Sequence, residues 1–305
     1  MKYLLIADES LAKQIAPYII REIERHDVRA EILLETSRNL KDKTYDKFPD
    51  IVLQVGTIRR KKNYKHLKKG GSKLCYLSLE RNSGRSASIR NFDLILNTLP
   101  EQIDERPRFS SHEYVGHPMI DLVRLHEFTD YALDPYKQNI VIIVGGSSGK
   151  SLRSLLRSLS STNNNINFIV SSKEEKPNTG VNVDSRFKYV KGLEFELLKD
   201  CNACIVFDDR SSLLASFLNS PQVIVKPNSS FFKKSDSPLL NELLGRDLVT
   251  PIKPSNVMNE VSRLINDHEY SASILNSYQE LREVIGTEPC FRKIGRVLID
   301  FVEDN

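Results

Sequence analysis

Short runs that are apolar throughout recur along the chain, separated by stretches whose apolar residues fall three or four positions apart. In the first part the runs cover residues 3–7, 30–34, 50–55, 74–79, 94–99 and 113–115. In the second they cover 139–144, 167–171, 187–190, 203–207 and 222–225. A strand exposed on one face alternates; a run with no polar face predicts burial on both sides, which means parallel sheets covered by helices. The intervening pattern supplies those helices. Leu11, Ile15, Tyr18, Ile19 and Ile23 share one helical face, as do Leu152, Leu155, Leu156 and Leu159. Residues 256–302 read as helix throughout, with Val257, Val261, Leu264 and Ile265 on one side.

The rhythm breaks near residues 118–135, and a new strand, glycine turn and helix start at Asn139. The expected architecture is therefore α/β, with two Rossmann-like domains, 1–119 and 120–305, a cleft between them, and closing helices on the second. A chain of 305 residues is long for one core, which favours the division. Ligands of such sheets bind beyond the carboxyl ends of the strands, so the loops there are where chemistry is to be sought.

Composition narrows the class. With 40% hydrophobic and 28% charged residues the chain is neither disordered nor membrane-spanning. Its apolar runs are strand-sized, far short of the roughly 20 residues of a spanning helix. Met1 leads directly into a strand with no leader-like segment, so a cytoplasmic chain is expected. A net charge of +4 is too small to argue for nucleic acid. Cys201 and Cys204 have the spacing of half a zinc site, but no second pair follows, so they read as packing residues. The six histidines are scattered, and neither a metal nor another cofactor is expected.

Four segments carry candidate chemistry. Gly145-Gly146-Ser147-Ser148-Gly149-Lys150-Ser151 follows a strand and opens a helix. Glycines admit a phosphate close to the backbone, and a helix start offers free N–H groups and the positive end of the dipole. A P-loop would need a glycine at position 144, which is Val, so a nucleoside triphosphatase is the weaker reading. A diphosphate cradle and a plain glycine turn both remain. Asp208-Asp209-Arg210-Ser211-Ser212 ends the next strong strand; it either caps a helix or, through Arg210 and the same N–H groups, holds a diphosphate. Asp8-Glu9-Ser10 follows the first strand and offers a general base or a cap. Arg59 to Lys69 is the one dense basic run, either a solvated helix face or a patch for anionic lipid, with Tyr64 and Leu67 dipping into the interface.

Glu113-Tyr114-Val115-Gly116-His117-Pro118-Met119-Ile120-Asp121 resembles the Gly-His-Pro-(Leu/Met)-x-Asp segment of lipid-A-disaccharide synthases, inverting glycosyltransferases of the GT-B fold. Asn241-Glu242-Leu243-Leu244-Gly245-Arg246-Asp247-Leu248-Val249 is similar to that family's Asn-Leu-Leu-Ala-Gly-Arg-Glu-Val-Val, and residues 278–286 to its closing helices. The resemblance implies a UDP-sugar donor, such as a UDP-N-acetylglucosamine derivative. Gly146, Ser147, Ser148, Gly149, Lys150, Arg210, Ser211, Ser212, Asn241 and Arg246 would lie on the nucleotide side, and Glu9 and Ser10 would face the acceptor. Against the family pattern, only Glu9 and Ser10 survive of a Gly-Glu-x-Ser-Gly-Asp loop. Gln54-Val55-Gly56-Thr57-Ile58-Arg59 stands where the family's presumed catalytic aspartate lies, and Asp208-Asp209-Arg210-Ser211 replaces a Ser-Gly-Thr-Ala segment. The expected function is a lipid-A-disaccharide-synthase-like glycosyltransferase. The alternative is an inactive relative that binds or regulates.

Overall fold

A computed structural model describes residues 1–7, 13–36, 47–56, 61–79, 89–100, 110–145, 149–160, 165–172, 187–225 and 237–303. Two compact units emerge: Met1–Leu122 together with Ile285–Asn305, and Val123–Val284.

In the first unit the described elements run β1 (Lys2–Ala7), α1 (Ala16–His26), β2 (Glu31–Thr36), β3 (Ile51–Val55), α2 (Lys61–Lys69), β4 (Lys73–Ser78), β5 (Leu94–Asn97), β6 (Ser111–Tyr114) and α3 (Pro118–Leu125). The six strands form one sheet in the order β2-β1-β3-β4-β5-β6, every pairing parallel. All six strand-like runs of this half became strands, with ends moved by one or two residues. The interior strands are buried on both faces as their sequences demand; all five residues of β3 are buried.

The second unit runs β7 (Gln138–Ile143), α4 (Gly149–Leu159), β8 (Ile166–Ser172), β9 (Phe187–Lys191), α5 (Glu194–Asp200), β10 (Ala203–Val206), α6 (Asp209–Phe217), β11 (Gln222–Ile224), α7 (Leu239–Leu244), α8 (Val257–Asn266) and α9 (His268–Ile285). Its sheet has the order β11-β10-β7-β8-β9, again parallel throughout. Leu152, Leu155, Leu156 and Leu159 line the buried face of α4, and Val257, Val261 and Leu264 that of α8.

The carboxyl-terminal stretch is three helices rather than one. Asp267 Oδ1 accepts from Tyr270 N at 3.0 Å and so starts α9 afresh. Beyond α9, Gly286 is left-handed at φ 84° and Pro289 precedes α10 (Cys290–Glu303). That last helix belongs to the first unit, not to the second as the division at residue 120 expected. The reason is its apolar face: Phe291, Ile294 and Leu298 complete a core with Ile19 and Ile23 of α1, and Phe291 stacks on Tyr18 at 5.1 Å.

The segment at residues 116–121 provides the seat for this return. Asp121 is 3% exposed, and its Oδ2 accepts from Phe291 N at 2.8 Å, capping the first turn of α10. Cys290 Sγ donates to Gly116 O at 3.0 Å, and Tyr114 Oη donates to Ile285 O. Burial first, and then Asp121, push the Cys290 thiol well above the ordinary range, so it acts as a neutral donor.

In the basic helix α2, Tyr64 and Leu67, which only the anionic-lipid alternative put at an interface, are each 2% exposed, and both pack in the core of the first unit. Tyr64 Oη donates to Gln54 Oε1, which gives the buried amide of β3 its partner. Lys65 and Lys69 are exposed, and Lys68 pairs with Asp93. Arg59 and Arg60 lie outside the described residues. A contact of this helix with an anionic surface would therefore rest on charge, without insertion of Tyr64 or Leu67. Among the described residues no helix is long and apolar enough to cross a membrane.

Gly295 marks the crossing of α10 and α1, where a Cβ would stand 2.9 Å from Glu22 Cβ and 3.3 Å from its carbonyl carbon. Gly295→Val regains some helix propensity but overpacks this crossing. The expected net loss is about 1–3 kcal/mol in chemical denaturation; an unchanged midpoint would refute the close approach.

Candidate functional site at the carboxyl edge of the second sheet

The second sheet starts at its middle. From β7 the chain builds β8 and β9 to one side, then returns to lay β10 and β11 on the other. Consecutive crossovers thus leave in opposite directions between β7 and β10, which opens a crevice beyond the carboxyl ends of those two strands. The helix after each strand, α4 after β7 and α6 after β10, begins at that edge.

Asp208 joins the two sides. Its backbone is extended (φ −147°, ψ 161°), and Oδ1 accepts from Ser211 N at 2.8 Å, the spacing of a helix N-cap. The other oxygen lies against Gly145 at the end of β7, where any Cβ would overlap it. Gly145 is therefore required by close approach, not by backbone angle, since its φ is not positive. The next residue, Asp209, turns its Oδ1 to Leu239 N at 3.0 Å and ties α6 to the start of α7.

Helix α6 is buried from Ser211 through Phe217. A helix buried over this stretch belongs to the interior. At its first turn Ser211 and Ser212 are 8% and 1% exposed, while Arg210 is exposed. Lys150, on the first turn of α4, is exposed as well, beside Gly149. Lys150 and Arg210 are thus carried on the first turns of two helices that both start at the β7/β10 edge.

The other expected site residues have different placements. Gly146, Ser147 and Ser148 lie outside the described residues, as do Glu9 and Ser10. Asn241 is 6% exposed and engaged at both ends of its amide. Its Oδ1 accepts from Leu248 N and Val249 N at 3.0 and 2.9 Å, and its Nδ2 donates to Val249 O at 2.8 Å and Asp247 Oδ1 at 3.3 Å. Asn241 holds the turn that follows Gly245, itself left-handed at φ 64°. Arg246 reaches Glu280 Oε2 at 2.6 Å and Ser277 Oγ at 3.0 Å. Gly145 and Asp208 stood in the candidate segments but not among the expected site residues, although an aspartate three residues before a serine at a helix start is the spacing of a cap.

A second polar cluster lies around α5. Glu196 is 5% exposed; its Oε1 is 2.9 Å from His126 Nε2 and accepts from Thr129 N at 3.4 Å and Thr129 Oγ1 at 3.2 Å. The His126 ring stacks on Phe195 at 4.3 Å, and Lys199 Nζ lies 4.6 Å from the Phe128 ring centroid. This clasp fastens residues 126–129, which follow α3, to α5. Burial alone would push the Glu196 carboxyl up, but the hydrogen bonds from His126 and the backbone outweigh it and hold it below the usual range.

No known family's sequence profile matches the chain, and no curated protein sequence does. Solved structures do. The S. aureus MnaA–UDP co-structure aligns with a TM-score of 0.67 at 11% identity, over 99% of this chain and 96% of that one. The UDP-GlcNAc 2-epimerase from Neisseria meningitidis bound to UDP-GlcNAc aligns at 0.63 and 12%, over 100% of both. The glycotransferase of kitacinnamycin aligns at 0.64 and 9%, over 98% of both. The chain has the GT-B fold. At such identities the likeness speaks for the fold; the GT-B glycosyltransferases and UDP-GlcNAc 2-epimerases that share it span more than one chemistry.

Two expectations follow from this geometry. Gly145→Ala should dislodge Asp208 from its cap, with a loss of about 1–2 kcal/mol in denaturation; a neutral result would mean that Asp208 does not bridge the strands. Because the folded pKa of Glu196 is lowered, its stabilisation is complete above the unfolded value of 4.5 and disappears as pH falls through the folded one. Glu196→Gln should therefore be less stable than the parent at pH 7, with the gap narrowing as pH falls below 4.5. Parallel melting curves from pH 7 to pH 3 would rule this out.

Proposed function

We propose that the second unit binds a UDP-sugar at the carboxyl edge of β7 and β10, and that the chain transfers that sugar as a glycosyltransferase. The carrying observation is the convergence on that edge of the first turns of α4 and α6, with Lys150 and Arg210 on them. Helix starts present N–H groups and positive dipole ends to an anion, and two cations add charge-assisted hydrogen bonds. Transfer breaks the bond between the sugar's anomeric carbon and the diphosphate, so negative charge grows on the departing UDP. Donors fixed in advance at that position lower the barrier. Asp208, whose charge would oppose a diphosphate, has Oδ1 on Ser211 N and Oδ2 against Gly145. It shapes the edge from within the protein.

The acceptor hydroxyl needs a base. Glu9, two residues beyond β1 in the sequence, is the proposed base. The Gly116–Asp121 segment already has a role in seating α10, so its likeness to lipid-A-disaccharide synthases supports the fold more than any particular acceptor.

Calorimetric titration with UDP and UDP-N-acetylglucosamine, with and without Mg²⁺, tests the donor side. Binding is expected without a metal requirement, and Lys150→Ala and Arg210→Ala should each weaken it about 10-fold or more, the scale of one charge-assisted hydrogen bond. Unchanged affinity in both variants would overturn the site. Conversion of UDP-N-acetylglucosamine to its 2-epimer without transfer would replace the transferase reading by an epimerase.

A further inference from the structure

Behind the first turn of α6 lies a buried polar relay that neither the sequence reading nor the proposed function used. Gln222, the first residue of β11, is 3% exposed. Its Nε2 donates to Ser212 O at 3.0 Å and also reaches Tyr278 Oη at 3.1 Å. Tyr278, wholly buried in the middle of α9, in turn donates to Ser220 O at 3.3 Å. Burial pushes the Tyr278 hydroxyl far above the ordinary range, so it is a neutral donor at every working pH. Three elements, α6, β11 and α9, are thus joined through two side chains at the residue that closes the first turn of α6.

This arrangement is a poor way to gain stability. Among the described residues, Gln222 Oε1 and Ser212 Oγ, both buried, have no hydrogen-bond partner. Each such atom costs about 1–3 kcal/mol relative to its hydrated state. An apolar side chain of the same length at position 222 would fill the space without that penalty. What the amide supplies and an apolar chain does not is direction, because it holds the Ser212 carbonyl at one angle. The amino end of the same turn is held by the Asp208 cap. The turn carrying Arg210 and Ser211 is therefore gripped from both ends.

We propose that Gln222 and Tyr278 are positioning residues that set the first turn of α6 for the nucleotide ligand, at the expense of stability. This inference rests on the proposed nucleotide site for its ligand, though the relay itself does not. Neither side chain is proposed to touch the ligand; both act through the Ser212 carbonyl.

The test pairs Gln222→Met with Tyr278→Phe, and uses Leu264→Ala in the core of the same unit as a control that only destabilises. Gln222→Met should melt within about 4 °C of the parent or above it, because an unpaired buried acceptor has been removed. It should nevertheless bind UDP about 3- to 10-fold more weakly, the scale of one neutral hydrogen bond. Amides 209–213 should exchange hydrogen faster, while those of α4 keep their protection. Tyr278→Phe should weaken binding in the same direction with a lower melting temperature. Leu264→Ala should melt lower and bind UDP as the parent does. Unchanged UDP affinity and unchanged exchange at 209–213 in Gln222→Met would overturn the relay. So would losses that merely follow melting temperature across the three variants. Should the parent fail to bind UDP, the nucleotide site falls; the exchange at 209–213 then decides the relay alone.

Discussion

An all-parallel sheet can be built only if every strand is regained by a crossover that passes over one face. The rest of this molecule depends on that constraint. Both faces are then covered, which is why the interior strands have no polar side. The edge where the strands end is the place left for a loop to meet a ligand. In each unit the first strand sits inside the sheet and later strands are added on both sides of it, so the diverging crossovers fall at β1/β3 and at β7/β10. The position of the candidate site follows from the order of strands before any side chain is considered.

Within that frame the polar residues do most of their work on the protein itself. Asp121 caps the returning helix, Asn241 holds a turn with four hydrogen bonds, and Asp208 closes the first turn of α6 while lying against Gly145. A buried carboxylate or amide is tolerated where its hydrogen bonds are met, and a backbone N–H at a helix start meets them well. The consequence reaches recognition. A Gly-His-Pro-Met-Ile-Asp segment that seats a helix persists for reasons of packing, so it travels with the fold rather than with a substrate.

This also sets how far the chain could be read unaided. The eleven strand-like runs were legible because burial on two faces leaves a signal of period one, and each run appears as a strand among the described residues. Helix breaks were less legible, since Asp267 and Gly286 interrupt an apolar pattern that continues on both sides. Membership of the last helix was not legible at all: an apolar face at helical spacing says that a partner exists, not which sheet provides it. The same ambiguity kept an interface reading open for Tyr64 and Leu67, which suit a membrane interface and a protein core equally well by composition. Site residues were hardest, because serine, aspartate and asparagine at a helix start serve capping and ligand binding with the same atoms. Lys150, Arg210, Ser211 and Ser212 were placed at one edge, whereas Asn241 and Arg246 were drawn into contacts elsewhere in the unit.

Gln222 shows why such residues escape sequence reading. By pattern it opens a buried strand, where a polar residue counts against the assignment; in the structure it is the residue that orients the neighbouring helix. Its polarity makes no sense for burial alone, and its partners are 10 and 56 residues away. The chain accepts an unpaired oxygen beside it, on a helix that is already buried on every side and needs no further apolar contact to stay there. Where packing fixes that a helix is present but not the angle of its first turn, a directional bond is the remaining means of setting that angle. A site that must meet a diphosphate within hydrogen-bond distance depends on that angle more than on the helix itself.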